Sequence, residues 1–329
     1  MSSTIEKKKF YSAIVSLVVS VAVLALKTKA FYETHSVAVL SDALETVVNV
    51  VTAIFALWAI KMAAEPADEE HPYGHGKFEY FSAAFEGGLI FFAALAILFQ
   101  SIESFFETSK IQNIGVGFKY LSIATALNLV VGIWLVWIGK SQNSEALKAS
   151  GKHVLSDVLT TGGIFVGLGL VQLTGLNWID SLVGLLVGLW LALEAYNILR
   201  TNTGALLDEV DTDSLEKLAE VIKKHRKSGV IDIHHVRMIR SGNFHHIDAH
   251  MVVPEFWDVK EAHTMSHDFE KNVVRDYEFD GEFAFHMDPC QKLYCSVCTV
   301  ENCKIRVAPY SRHREFTKEH LVKGPVYTV

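Results

Sequence analysis

Cysteine is absent from the first 289 residues of this 329-residue chain, and only four follow: Cys290, Cys295, Cys298 and Cys303. Bunching of that kind excludes a disulfide framework spread over a fold and suits a metal or redox site. Proline is scarce, at six, and glycine modest, at 21, which argues against a disordered chain. No dense basic stripe is present and the formal net charge is −7. Both facts argue against a nucleic-acid partner. No H-E-x-x-H or other activated-water or nucleophile motif occurs, so an intramembrane protease, or any enzyme, is not expected. A cleavable signal peptide is not expected either. Lys7, Lys8 and Lys9 precede an apolar stretch, but it is too long for a signal core and no small-residue cleavage site follows.

Half of the chain is hydrophobic. These residues concentrate in 10–201, as in a membrane protein with a soluble part. Six apolar stretches are each near the ~20 residues needed to span a bilayer: 10–30, 36–62, 80–106, 117–139, 150–174 and 178–200. An even number places both termini on one side. Lys7–Lys9, Lys61, Lys77, Lys140, Lys148, Lys152 and Arg200 share that side, against Lys27, Lys29, Lys110 and Lys119 in the opposite loops. The bias predicts cytoplasmic termini and a multi-pass protein of a bacterial inner membrane. After Arg200 the periodicity changes. Helices are expected over 212–228 and 258–277, and strands over 230–241, 244–254 and 282–287, with Gly242-Asn243 as a hairpin turn. The expected architecture is an α-helical membrane domain with six transmembrane helices, followed by a small αββαβ domain. The boundaries are 1–9 for a cytoplasmic N-terminus, 10–206 for the membrane domain, 207–289 for the α+β domain and 290–329 for a Cys-containing tail.

Ionisable groups inside a span are costly unless paired, watered or bound to a cation. The second stretch contains "SDALETVVNVV", where Glu45 and Asn49 stand at i and i+4 and so share a helix face. The fifth repeats the device in "HVLSD", with His153 and Asp157. Side by side, these helices offer two carboxylates, an imidazole and an amide oxygen, a set suited to a divalent transition metal. Polar helix–helix contacts are the plainer alternative. Asp42, a turn before Glu45, is either an acid supporting the ligands from behind or a helix-end residue, and the helix end is the favoured reading. The loop "PADEEHPYGHGKFEYF" gathers Asp68, His71 and His75 among turn-forming Pro72, Gly74 and Gly76, so the two rings can converge on a cation.

Together these segments resemble the cation diffusion facilitator family of metal transporters, over residues 10–290. "DEEHPYGHGKFE", "SVAVLSDALETVVNVV" and "HVLSD" carry the resemblance. It implies a homodimer in membrane lipid, a cytoplasmic ferredoxin-like domain, and efflux of Zn2+, or of Fe2+, Co2+, Ni2+, Cd2+ or Mn2+, in exchange for protons. The implied transport site is Glu45, Asn49, His153 and Asp157, and the loop site Asp68, His71 and His75. A binuclear cytoplasmic site is implied at His234, His250, His263, His286 and Asp288, and an interdomain salt bridge between Lys77 and Asp208. Two positions depart from the family pattern. Glu45 stands where the family has Asp or His, and Asn49 stands where it has Asp, which removes a charge and a proton acceptor.

The tail motif "CQKLYCSVCTVENC" has spacing C-x4-C-x2-C-x4-C. It fits a structural Zn site, an iron–sulfur cluster, labile thiols or free thiols. His313 and His320 are expected to be solvated. Two other transport-side readings stay open: a metal channel, and a membrane-anchored metal sensor that moves nothing.

Overall fold

The computed structural model describes residues 2–34, 37–104, 114–174, 178–301 and 303–323. The chain divides into two compact units, Met1–Leu206 and Leu207–Val329.

The first unit holds six long helices: α1 (Ser2–Thr34), α2 (Val37–Ala63), α3 (Lys77–Ser104), α4 (Ile114–Ser141), α5 (Glu145–Thr174) and α6 (Trp178–Leu206). Among the described residues, three stretches are long and apolar enough to cross a membrane: Lys7–Tyr32, Lys77–Glu103 and Lys119–Ser141. The apolar run of α2 is interrupted by Asp42, Glu45 and Asn49, and that of α5 by His153 and Asp157. α3 packs along α6, α4 along α5, and α1 against both α2 and α4. The α4–α5 approach is close enough to need glycine. A Cβ on Gly139 would stand 2.8 Å from the Lys148 backbone nitrogen, and one on Gly151 2.7 Å from that of Val136. Small residues let backbones approach in this way where no hydrophobic effect drives helices together.

The second unit runs α7 (Thr212–His225), β1 (Asp232–Ser241), β2 (Phe244–Val253), α8 (Val259–Asp276) and β3 (Asp280–Pro289). Local chemistry sets the helix starts. The Asp211 carboxylate accepts from the Asp213 N–H at the start of α7, and Asp258 and Glu261 form a capping box on α8. Gly242 turns the hairpin at φ +63°, a left-handed value that glycine adopts freely. β1 and β2 are antiparallel, and β3 joins β2 in parallel after the α8 crossover. One sheet face packs Ile233, Ile247, Met251 and Phe283 against Leu218, Ile222, Phe269 and Val273 of the helices. The other face carries the polar residues considered below. The tail lacks a periodic pattern, yet it packs onto this unit. Phe316 and Leu321, the latter in the short helix α9 (Lys318–Lys323), enter the same core.

Candidate metal sites

The i, i+4 pair of α5 meets α2 in the interior of the first unit. Asn49, His153 and Asp157 are all buried. Asn49 bridges the other two: its amide Nδ2 donates to the Asp157 carboxylate, and its Oδ1 lies 2.5 Å from His153 Nε2. An amide oxygen only accepts, so the proton of the neutral ring belongs on Nε2 in this arrangement. That leaves His153 Nδ1 and Asp157 Oδ1 buried without a hydrogen-bond partner among the described residues. Buried polar atoms are rarely left so, and an imidazole nitrogen and a carboxylate oxygen are both donor types that a divalent transition metal takes. Glu45 lies one turn before Asn49 on α2, but its side chain falls outside the described residues.

Two sequence expectations around this cluster are corrected. Asp42 is not a helix-end residue in water: it is 3% exposed, and Lys27 Nζ sits 2.9 Å from its Oδ1. Lys27 is not a loop cation either; it lies within α1 and is 1% exposed. An ammonium at that depth needs a carboxylate, and the two groups neutralise each other. The Thr161 hydroxyl is 3.2 Å from Asp42 Oδ1 and 2.8 Å from the Asp157 carbonyl, so the ion pair reaches the backbone of a candidate ligand. A second buried pair, Lys9–Glu79 at 2.7 Å, joins α1 to α3. Glu86, also buried, accepts from the Ser150 hydroxyl at 3.2 Å.

The loop after α2 brings Asp68, His71 and His75 together, with one donor atom from each lying within 4.8 Å of the others. Asp68 shapes the turn by accepting from the Glu70 and His71 backbone N–H groups at 3.0 and 2.6 Å. The His71 N–H holds the exposed Asp68 carboxyl below its ordinary pKa. His75 Nδ1 is 3.1 Å from the Pro66 carbonyl, which fixes the proton there and leaves Nε2 as the free donor, 3.5 Å from Asp68 Oδ2. A ring oriented in this way is the usual arrangement for a metal-binding histidine.

A second convergent group, His234, His250 and Asp288, takes one residue from each strand of the sheet. The register pairs His234 with His250 across β1–β2 and His250 with His286 across β2–β3. Asp288 Oδ2 is 2.9 Å from His250 Nδ1 and 3.6 Å from His234 Nε2, while its Oδ1 is 3.5 Å from His286 Nε2. His263 is not brought here. It lies on α8 in a groove with Phe283, Phe285 and Met287, and strand alternation puts that face opposite to His286 and Asp288. Within one chain these five residues therefore do not share an ion.

Sequence reasoning missed four residues around this group: His235, Asp232, Arg314 and His320. His235 sits at a bulge in β1 with φ +51°, and its ring packs 5.2 Å from that of His250. Burial, with His234 and His250 beside it, holds its pKa below the ordinary histidine value. His320 is not solvated: its Nε2 is 2.7 Å from Oδ1 of the fully buried Asp232. Arg314 reaches the same oxygen at 3.2 Å. Asp232 Oδ2 in turn lies 3.6 Å from His234 Nδ1. Burial pushes the Asp232 carboxyl up, but His234, His320 and Arg314 outweigh it and hold the group ionised. The "HH" of β1 was the available signal for His235. Nothing local signals His320, whose partner is 88 residues away.

Lys77 opens α3 in the first unit, and Asp208 stands in the second, with φ +58° just past α6. Cys290, Cys295, Cys298 and Cys303 are free thiols that line one cavity in the tail.

Comparison with known proteins adds to this geometry. A family model described as "Cation efflux transmembrane domain" matches residues 13–207, and one described as "Cation efflux protein, cytoplasmic domain" matches 210–290. An uncharacterised transporter of Synechocystis is 34% identical over 281 residues, covering 85% of this chain and 90% of that protein. The cation-efflux pump FieF of Salmonella arizonae is 25% identical over 291 residues, covering 88% and 96%. FieF of Yersinia pestis is 27% identical over 269 residues, covering 81% and 88%.

Proposed function

The chain belongs to the cation efflux family, and from that premise we propose that it exports a divalent transition-metal ion from the cytoplasm by proton antiport. Zn2+ is the first candidate, followed by Fe2+, Co2+, Ni2+, Cd2+ and Mn2+. Cation efflux is the family's activity, and the helical domain places the chain in a membrane. The finer reading takes α1–α6 as six spans of an inner membrane with both termini cytoplasmic.

One observation carries the transport reading: Asn49, His153 and Asp157 meet between α2 and α5, and His153 Nδ1 and Asp157 Oδ1 find no hydrogen-bond partner among the described residues. Glu45 is the proposed fourth ligand. A metal ion needs neutral His153 and ionised Glu45 and Asp157, so protons and metal compete for the same groups. On the cytoplasmic side, where protons are scarcer, metal wins; on the outward side protons displace it. Alternating access of the site then couples proton entry to metal exit. Asn49 carries no proton, so Glu45, His153 and Asp157 are the carriers.

The loop site and the sheet site are read as regulatory. Their mixed imidazole and carboxylate donors suit the same class of ion as the cargo. The family model for residues 210–290 is that of a dimerisation domain, which supports a homodimer. In such a dimer, His263 can join the sheet site only from the other subunit. The test is flux in proteoliposomes with a panel of competing divalent ions and an imposed pH gradient. Metal movement driven by the proton gradient supports antiport. Movement down the metal gradient without pH dependence means a channel, and binding without flux means a sensor.

A further inference from the structure

We propose that the four cysteines of the tail form a tetrahedral thiolate site for a structural Zn2+ ion, separate from the cation being transported. The inference goes beyond the transport reading and holds whichever cation the helices move. Residues 290–317 contain a single 3-10 turn, Lys292–Tyr294, and otherwise no helix or strand among the described residues. A segment so poor in regular structure is ordered only when something staples it. This one is ordered. Tyr294, Val297 and Cys298 are buried against Ile231 and Val252 on the polar face of the sheet, and the Cys290 N–H donates to the Val253 carbonyl at 2.8 Å. Disulfides are not the staple, because all four thiols are free.

The four thiols line one cavity together with Tyr294 and Arg306. Cys295 and Cys298, the C-x2-C pair, are buried at its base, while Cys290 and Cys303 are half-buried. The 3-10 turn leads directly into Cys295, and the Val307 backbone N–H points at Cys295 Sγ from 3.5 Å. Arg306 wraps the pair: its guanidinium donates to the carbonyls of Cys295, Cys298 and Val300 at 2.9, 3.0 and 2.8 Å. Four thiolates around Zn2+ leave two net negative charges, and Arg306 supplies a cation beside them. An all-sulfur donor set is also softer than the imidazole and carboxylate sets elsewhere in the chain, which separates this ion from the cargo. The thiols are not among the donor groups that converge within 4.8 Å. Zn–S bonds of about 2.3 Å set sulfur separations near ~3.8 Å, so the four thiols draw together when the ion binds. Each ligating thiol gives up its proton. The site would pin the segment that carries Arg314 and His320 to Asp232.

The test uses the full-length protein in detergent, loaded with Co2+ as a spectroscopic stand-in. Wild type and His250→Ala are expected to show the intense near-ultraviolet thiolate-to-cobalt charge-transfer band, and Cys298→Ser to lose it. Absence of the band from wild type, or its survival in Cys298→Ser, overturns the proposal. So does the visible absorption of an iron–sulfur cluster in the protein as purified. A second measurement needs no variant. Alkylation of wild-type Cys290 and Cys303 is expected to be slow with Zn2+ present and fast after a chelator is added. Equal rates in the two conditions overturn the site.

Discussion

Replacing Asn49 with Asp probes the departure from the family pattern that removes a charge from the site. In the wild type, Asn49 Nδ2 donates to Asp157 while Oδ1 faces His153. Asn49→Asp removes that donor and sets a second carboxylate against the first. Two carboxylates in contact, buried from water, do not both ionise, so they share one proton. An incoming dication must expel it, and metal binding then releases one proton more than in the wild type. One extra proton changes the apparent affinity by about tenfold per pH unit, or ~1.4 kcal/mol. Between pH 6 and 7 the variant's affinity should therefore climb about ten times more steeply than the wild type's. Calorimetric titration of Zn2+ in buffers of different ionisation enthalpy counts the protons directly. The loop, sheet and tail sites are common to both proteins and cancel in the difference. An unchanged proton count would mean that Asn49 does not face Asp157 and the metal together, and the reasoning would fail.

Three further outcomes follow from named contacts. Lys27→Met leaves the Asp42 carboxylate buried and unpaired and should cost about 3–5 kcal/mol in thermal stability, whereas Lys27→Met with Asp42→Asn should recover most of it; equal losses in the single and double variants would contradict the pairing. His320→Ala removes a support of Asp232, and with it the orientation of His234, so Zn2+ affinity at the sheet site should fall about 10–100-fold, read by titration with the loop and tail sites already disabled. His245 is buried against Tyr277 and Phe279, and burial holds its pKa at about 4 against 6.5 unfolded. Its folded value lies below the unfolded one, so its contribution is whole above pH 6.5 and is lost as pH falls toward 4, by about 3 kcal/mol; pulse proteolysis of the second unit in urea should follow that slope, and His245→Phe should flatten it.

The elements of the second unit were legible because each is amphipathic or alternating and bounded by its own caps and turns. α7 and α8 begin at their Asp caps, and the hairpin turns at Gly242. Within α2 and α5, spacing placed Asn49, His153 and Asp157 on facing surfaces, because i and i+4 fix a face whatever surrounds it. Spacing is silent about partners on other helices. Lys27 read as a loop charge, since nothing near it announces Asp42 on the next helix. His320 read as solvated for the same reason. His235 was hidden by the bulge, which breaks the alternation that would have placed it. His263 read as one of five ligands of a single site, but the sheet separates its face from the other four.

The central claim is that protons and metal exchange at one site built on Asp157. The most direct measurement is Zn2+/H+ exchange in proteoliposomes by wild type and Asp157→Ala, with Zn2+ flux and internal pH recorded together. The account predicts that wild type moves protons against Zn2+ and that the variant, still folded, moves neither. Intact exchange by Asp157→Ala would contradict it.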